Sequence, residues 1–325
     1  MVKKILITGA GGFIGSHLAE KCVELGWDVT AFVHYNSRNH WGWLEESRNS
    51  KDMNIVSGDI RDYDSVSSAI KGHDTVFHLA ALIGIPYSYE SPRAYIDTNI
   101  CGTYNVLQSS KIMDLDNVII TSTSETYGTA QYVPIDEKHP VVGQSPYSAT
   151  KIGADQLALS FYRSFETSVK IARPFNTYGP RQSARAVIPT IITQLLSSEK
   201  KIKIGNPTPT RDLTYVQDTV EGFLEIARSQ DRMGEVTNIG MNTEISIGDL
   251  ANLIAELMGI DAEFVTESER IRPDESEVMR LVCDNSKLVD STGWTPKFTI
   301  IEGLEQTIEW FREHGSGYKS DIYNI

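Results

Sequence analysis

Two short segments carry the side chains best suited to chemistry. Thr121-Ser122-Thr123-Ser124-Glu125-Thr126-Tyr127-Gly128 ends an apolar run with a row of hydroxyls and one carboxylate. Tyr147-Ser148-Ala149-Thr150-Lys151 opens a long amphipathic stretch, and residues four apart share a helix face. An ammonium beside a phenol favours the phenolate, which would bring Tyr147 down from about 10 toward working pH. Such a tyrosine can accept a proton from a hydroxyl while a hydride leaves the same carbon, with Thr123 bonded to the same oxygen. Glu125 is the candidate acid or base, or else a strand-end carboxylate capping the next turn. The Tyr–Lys spacing is common on surface helices, so its weight depends on what surrounds it.

What surrounds it begins at the N-terminus. Ile5-Leu6-Ile7-Thr8-Gly9-Ala10-Gly11-Gly12-Phe13-Ile14-Gly15-Ser16-His17 reads as strand, glycine turn and helix start, with glycines at 9, 12 and 15. Glycines let the backbone approach a pyrophosphate, whose charge then sits on a helix N-terminus; Gly15 permits close helix–strand packing. A carboxylate ending the next strand would bind a ribose hydroxyl, but Phe32-Val33-His34-Tyr35-Asn36-Ser37-Arg38 contains none. Arg38, with His34, could pair with a 2′-phosphate or could be a solvated loop residue, so NAD and NADP both stay open. Asp59, before Ile60, could accept from an adenine amine or simply shape a turn.

These segments must be carried by strands and helices in alternation. Strands are expected at Lys4 to Ile7, Asp28 to Val33, Thr75 to Leu79, Val118 to Thr121 and Ser168 to Ala172. Helices are expected at His17 to Leu25, Asp64 to Ile70, Ala94 to Ser109 and Tyr147 to Phe165. Apolar strands alternating with helices imply βαβ units, hence a Rossmann-type α/β fold with a doubly wound parallel sheet. After Pro174 prolines multiply, with helices at Ile188 to Leu196, Thr219 to Ala227 and Ile247 to Met258. The expected division is a dinucleotide-binding domain of 1–178 plus about 213–240. A smaller α/β substrate-binding lobe takes 179–212 plus about 241–325, with a mobile tail from Gly315.

The 325 residues, 40% hydrophobic and 22% charged, suffice for a full core and exclude disordered and disulfide-scaffold classes. Forty-three acidic against 30 basic residues give a formal charge of −13, which disfavours a nucleic-acid partner. Cys22, Cys101 and Cys283 form neither a disulfide framework nor a metal site, so no metal is expected. No apolar run reaches membrane-spanning length, and a cytoplasmic location is expected.

Over nearly its whole length the chain resembles the extended short-chain dehydrogenase/reductase family of nucleotide-sugar enzymes. The resemblance rests on Thr8 to Gly15, His78-Leu79-Ala80-Ala81, Asn99, Tyr147 with Lys151, Arg173-Pro174-Phe175-Asn176-Thr177-Tyr178-Gly179-Pro180, Arg211-Asp212-Leu213-Thr214-Tyr215-Val216 and Arg272-Pro273. Thr123-Ser124-Glu125 is similar to the triplet of the 4,6-dehydratases of the GDP-mannose type. UDP-glucuronate decarboxylases share that triplet but not the Pro146-to-Lys151 context, and 4-epimerases have small residues in place of the glutamate. Tyr35-Asn36-Ser37 with Trp41-Gly42-Trp43-Leu44, Ile83 to Tyr89, and Gly179 to Pro189 resemble the N-acetylglucosamine nucleotide 4,6-dehydratases of legionaminic-acid biosynthesis.

The resemblance implies a GDP- or UDP-linked N-acetylglucosamine 4,6-dehydratase, with a 4-epimerase and then a UDP-glucuronate decarboxylase as alternatives. Thr123, Ser124, Glu125, Tyr147 and Lys151 would be catalytic. Gly9, Gly12, Phe13, Ile14, Gly15, Leu79, Ala80, Ala81 and Asn99 would surround a tightly bound, recycled NAD or NADP, together with Arg38, Asp59 and Ile60. Asn176, Arg211 and Arg272 match positions contacting the substrate diphosphate, and Glu275 a position contacting its ribose. Arg185, Val187 and Lys203 would line the base pocket, and Ile83 and Tyr87 the sugar. Family members usually dimerise, which would pair the helices Ala94 to Ser109 and Tyr147 to Phe165 between two copies.

Overall fold

A computed structural model describes residues 3–197 and 201–319. Lys4–Thr8, Asp28–His34, Met53–Gly58, Thr75–His78, Asn117–Thr121 and Val169–Pro174 form strands β1 to β6. With Val236–Ile239 they make one sheet in the order Val236–Ile239, β6, β5, β4, β1, β2, β3, every pair parallel. This is the doubly wound α/β arrangement that the alternation predicts. From β1 the chain moves outward to β2 and β3, then returns to β4 on the other side of β1. The crevice therefore opens at the carboxyl ends of β1 and β4, where such sheets bind ligands.

Alternation along the strands divides the core. Ile5, Ile7, Ala31, Val33, Phe77 and Ile119 face one way with Leu18 of the helix Phe13–Glu24 and Phe223 of the helix Val216–Arg228. Leu6, Phe32, Val76, Val118, Ile120 and Ile171 face the other, against Val106 of Gly102–Ile112 and Ala158 of Pro146–Phe165. A third core packs Ile191, Ile254 and Ile308 from the helices Val187–Leu196, Ile247–Met258 and Ile300–His314. Beside them the strands Lys201–Ile204 and Glu263–Thr266 pair in parallel. Leu288 and Trp294 reach back into the sheet's own core.

Several element boundaries differ from expectation for local reasons. The first helix begins at Phe13, not His17, because Gly12 is already its N-cap. The stretch expected as one helix over Ala94 to Ser109 is broken into Pro92–Tyr95, a π-turn at Ile96–Cys101 and Gly102–Ile112. Strand β3, the helix Ser286–Thr292 and the helix Ile300–His314 are additional elements. Of the tail expected to be mobile, Gly315–Gly317 forms a 3-10 turn and the Tyr318 hydroxyl donates to the Gln182 carbonyl at 3.0 Å. Residues 320–325 lie outside the described residues.

Candidate active site

The glycine turn follows β1. Gly9 has φ +72°, and a Cβ there would lie 2.8 Å from the Ala80 nitrogen. A Cβ on Gly15 would collide with the Gly9 carbonyl, and one on Gly12 would crowd it at 3.2 Å. The first turn is held by Gly12 N–H donating to Gly9 O and Ser16 N–H to Gly12 O, both at 3.0 Å. The side-chain-free cradle and helix N-terminus suit a pyrophosphate, so these residues fit a dinucleotide. Thr8 begins a buried polar chain beneath it. Ala80 N–H donates to Thr8 Oγ1 (3.2 Å), which bonds His78 Nδ1 (2.8 Å); His78 Nε2 bonds Thr103 Oγ1 (3.1 Å), which donates to Asn99 O (2.6 Å). With Thr103's proton committed, this pattern is satisfied by a neutral His78 carrying its proton on Nε2.

Burial, reinforced by the Lys151 charge, pushes the His78 imidazole down to about 3, and burial with Arg181 nearby takes His17 to about 4. Both lie below the ordinary 6.5, so the fold favours neutral rings. Their contribution is complete above about 6.5 and is lost as pH falls toward 3. Urea midpoints measured across that window should drop with acidification, and His78→Gln should flatten the drop. A variant with the parental acid slope would remove His78 from the cause.

At the ends of β5 and the adjoining helix the catalytic candidates come together. Thr123, Glu125, Tyr147 and Lys151 line the same cleft as Gly9, Gly12, Phe13, Ile14, Gly15, Asp59, Ile60, Leu79, Ala80 and Ala81. Ser145 starts that helix with a reciprocal capping box to Ser148, which fixes Tyr147 in the first turn. Glu125, Tyr147 and Lys151 are 8%, 7% and 4% exposed. Burial raises the Tyr147 phenol, opposed by its hydrogen bond with Thr123 and reinforced by the Glu125 charge. This corrects the expectation from the four-residue spacing that Lys151 depresses the phenol. Burial lowers Lys151 as well, and its Nζ donates to the Thr121 carbonyl at 2.5 Å. Behind the strand end, Asp155 accepts from Ser122 Oγ (2.5 Å) and from Arg173 (2.8 Å), fixing the backbone that presents Thr123.

The cleft is about 2030 Å³, well beyond the roughly 300–1,000 Å³ of a single small-molecule pocket, which leaves room for two nucleotide-sized ligands. The same cleft is also lined by Ile83, Tyr87, Asn176, Arg185, Val187, Lys203, Arg211 and Arg272. Arg211 Nη2 donates to Glu277 Oε1 at 3.2 Å, and Arg272 lies 3.5 Å from the same oxygen. Two guanidiniums held on one carboxylate suit a diphosphate.

Four candidates lie off the cleft wall. Arg38 is exposed on a loop whose backbone is organised by Asn36 Oδ1, which accepts from Arg38 and His40 N–H. Asn99 spends its amide on both backbone groups of Leu82 and on Thr150, bracing the wall from behind. Ser124 is 2% exposed at the start of the 3-10 turn Ser124–Tyr127. At the Glu275 level the lining carboxylate is Glu277, while the Glu275 carbonyl accepts from Gln144. Glu277 escaped the sequence because two glutamates follow Arg272 closely and nothing in their spacing distinguishes them. Gln182 and Trp43 also line the cleft; both stood in stretches that carry the sequence resemblance, without a role assigned to either.

A glycine cradle on a doubly wound sheet, a Tyr–Lys helix beside a hydroxyl–carboxylate strand end, and arginines in the same cleft define a dinucleotide-dependent enzyme acting on a phosphorylated substrate. Residues 6–307 match the GDP-mannose 4,6 dehydratase family, and the chain belongs to it, among the extended short-chain dehydrogenase/reductase nucleotide-sugar enzymes. It is 31% identical to the dTDP-glucose 4,6-dehydratase of Streptomyces antibioticus over 95% of this chain and 92% of that one. It is 34% identical to a UDP-N-acetyl-alpha-D-glucosaminuronate decarboxylase of Bacillus cytotoxicus, over 96% and 99%. The UDP-glucuronic acid 4-epimerase of Bacillus cereus, solved with UDP-glucuronic acid and NAD, superposes with a TM-score of 0.87 at 28% identity, covering 96% and 99%.

Proposed function

We propose that the chain is an NAD-dependent GDP- or UDP-N-acetylglucosamine 4,6-dehydratase of the legionaminic-acid type. The observation that carries this is Glu125, buried on the cleft wall within the electrostatic reach of Tyr147. Simple 4-epimerisation needs no base at C-5. When bound, NAD+ supplies the hydride acceptor and a positive charge that favours the phenolate. Tyr147, bonded to Thr123, takes the proton of the 4-hydroxyl as C-4 is oxidised. The ketone acidifies the C-5 proton, which Glu125 removes. Water then leaves from C-6 with a proton from the Glu125 carboxyl, since Ser124 lies off the wall. Return of the hydride to C-6 is matched by a solvent proton at C-5, and Tyr147 gives up the proton it took from the 4-hydroxyl.

Asn176, Arg211 and Arg272 would hold the diphosphate, Arg185, Val187 and Lys203 the base, and Ile83 and Tyr87 the sugar. The lobe would comprise 179–212 plus about 241–325, with Leu288 and Trp294 returning to the sheet. We also place the enzyme in the cytoplasm as a homodimer. Exposed Tyr104 and Ile112 on one helix and Tyr162 and Phe165 on the other support that pairing. No helix among the described residues is long and apolar enough to cross a membrane.

The decarboxylase relative supports a second reading, in which the same oxidation at C-4 of a UDP-linked hexuronate is followed by loss of carbon dioxide. Incubation with UDP-, GDP- and dTDP-N-acetylglucosamine, GDP-mannose, dTDP-glucose, UDP-glucuronate and UDP-N-acetylglucosaminuronate separates the readings by product mass. Loss of one water from the UDP- or GDP-N-acetylglucosamine supports the dehydratase. Loss of carbon dioxide from a uronate establishes the decarboxylase, and unchanged mass with altered stereochemistry the epimerase.

A further inference from the structure

The tryptophan-rich loop after β2 has no part in the chemistry above, yet it is built into the glycine turn. Gly42 has φ +65°, and a Cβ there would collide with the Gly11 carbonyl. That same carbonyl accepts from Trp43 N–H at 3.0 Å, and a Cβ on Gly11 would lie 2.5 Å from the Trp41 carbonyl. Asn36 bridges the loop's ends, its Nδ2 donating to the His34 and His40 carbonyls at 3.3 and 2.7 Å. Leu44, fully buried, anchors the loop in the sheet's core.

The neighbouring side chain goes elsewhere. Trp43 meets Trp310 of the helix Ile300–His314 edge to face, with centroids 5.3 Å apart and ring planes at 77°. Trp310 rests in turn on the third core, against the buried Phe311 at 4.9 Å. One residue of the loop is thus rooted under the sheet and the next in the other lobe, and the span between them borders the cleft. Trp41, Gly42 and Trp43 line it from one side, and His314, Gly317 and Tyr318, just beyond Trp310, from the other.

We infer that Trp43 and Trp310 form a clasp that retains the dinucleotide in the cleft, so that the coenzyme leaves only when the two indoles part. The inference rests on coenzyme binding at the glycine turn and is independent of which sugar reacts. Retention is chemically useful here, because a hydride taken from C-4 must return to the same sugar before the coenzyme departs.

The test reads coenzyme release, not turnover. The full chain and its Trp43→Ala, Trp310→Ala, Trp43→Phe and doubly alanine-substituted forms are loaded with radiolabelled NAD+, freed of excess, and chased with unlabelled NAD+. Each alanine variant should release label about tenfold faster or more, from loss of an aromatic pair and its buried area. The double variant should release no faster than the faster single one, since either change breaks the same contact. Trp43→Phe, which keeps an edge-to-face partner, should stay near the parent. Parental release from folded Trp310→Ala overturns the clasp, as does simple additivity in the double variant. Should Trp43→Ala fail to fold by circular dichroism, Trp310→Ala and Trp310→Phe carry the test from the side remote from the glycine turn. A parent chain that binds no NAD+ overturns the coenzyme reading and the clasp with it. Retention of NAD+ without dehydration of any sugar leaves the clasp standing and sinks only the proposed reaction.

Discussion

Replacing Tyr147 by phenylalanine should lower kcat by about 10²–10⁴-fold, the range for removing a positioned acid–base group. The ring itself packs with Ile85 and Tyr95, and phenylalanine preserves those contacts, so the thermal midpoint should hardly move. What is lost is the hydroxyl that hydrogen-bonds Thr123 and takes the substrate proton. Because burial raises the phenol, the parental kcat should climb on the alkaline side as the phenolate becomes populated, and the variant should lack that limb. Steady-state kinetics across pH, with coenzyme content measured in parallel, checks both points. A variant with parental kcat would remove Tyr147 from the chemistry.

Glu125→Gln should suppress water loss by a comparable factor of about 10²–10⁴, but at a different step. Oxidation at C-4 depends on Tyr147 and Thr123 and should survive, so reduced coenzyme should accumulate to roughly one equivalent. Exchange of the C-5 hydrogen with deuterated solvent should vanish together with water loss. Arg211 senses the Glu125 charge but keeps its contact with Glu277, so substrate affinity should change far less than kcat. Water loss at the parental rate would make Glu125 a structural carboxylate and assign the C-5 base to another side chain. Reduced coenzyme failing to accumulate would place the defect at C-4 oxidation, against the assigned division of roles.

Local patterns were enough for most of the framework. A glycine triplet between an apolar strand and a helix is read within thirteen residues, because the backbone conformations it requires are set residue by residue. The alternation of strands and helices gave the parallel sheet, since short apolar runs and helical periodicity are themselves local. Boundaries were less legible where competing local structures are close in energy, as in the π-turn at Ile96–Cys101 inside an expected helix.

Everything that depends on which long side chain faces which had to wait for the tertiary structure. Spacing put Tyr147 and Lys151 on one helix face, but burial of both and a carbonyl at the end of β5 decided that Lys151 bonds Thr121 and that the phenol is raised. Glu275 and Glu277 lie two residues apart in the same segment, and only the placement of Arg211 and Arg272 sets Glu277 on the wall. Arg38 stands outside the cleft because Asn36 folds its loop back upon itself. Residue types and local spacing alone determined the reagents and the class of fold that carries them. Distances, desolvation and pairing between segments far apart in the chain are properties of the packed molecule, and they decided which of those reagents meet.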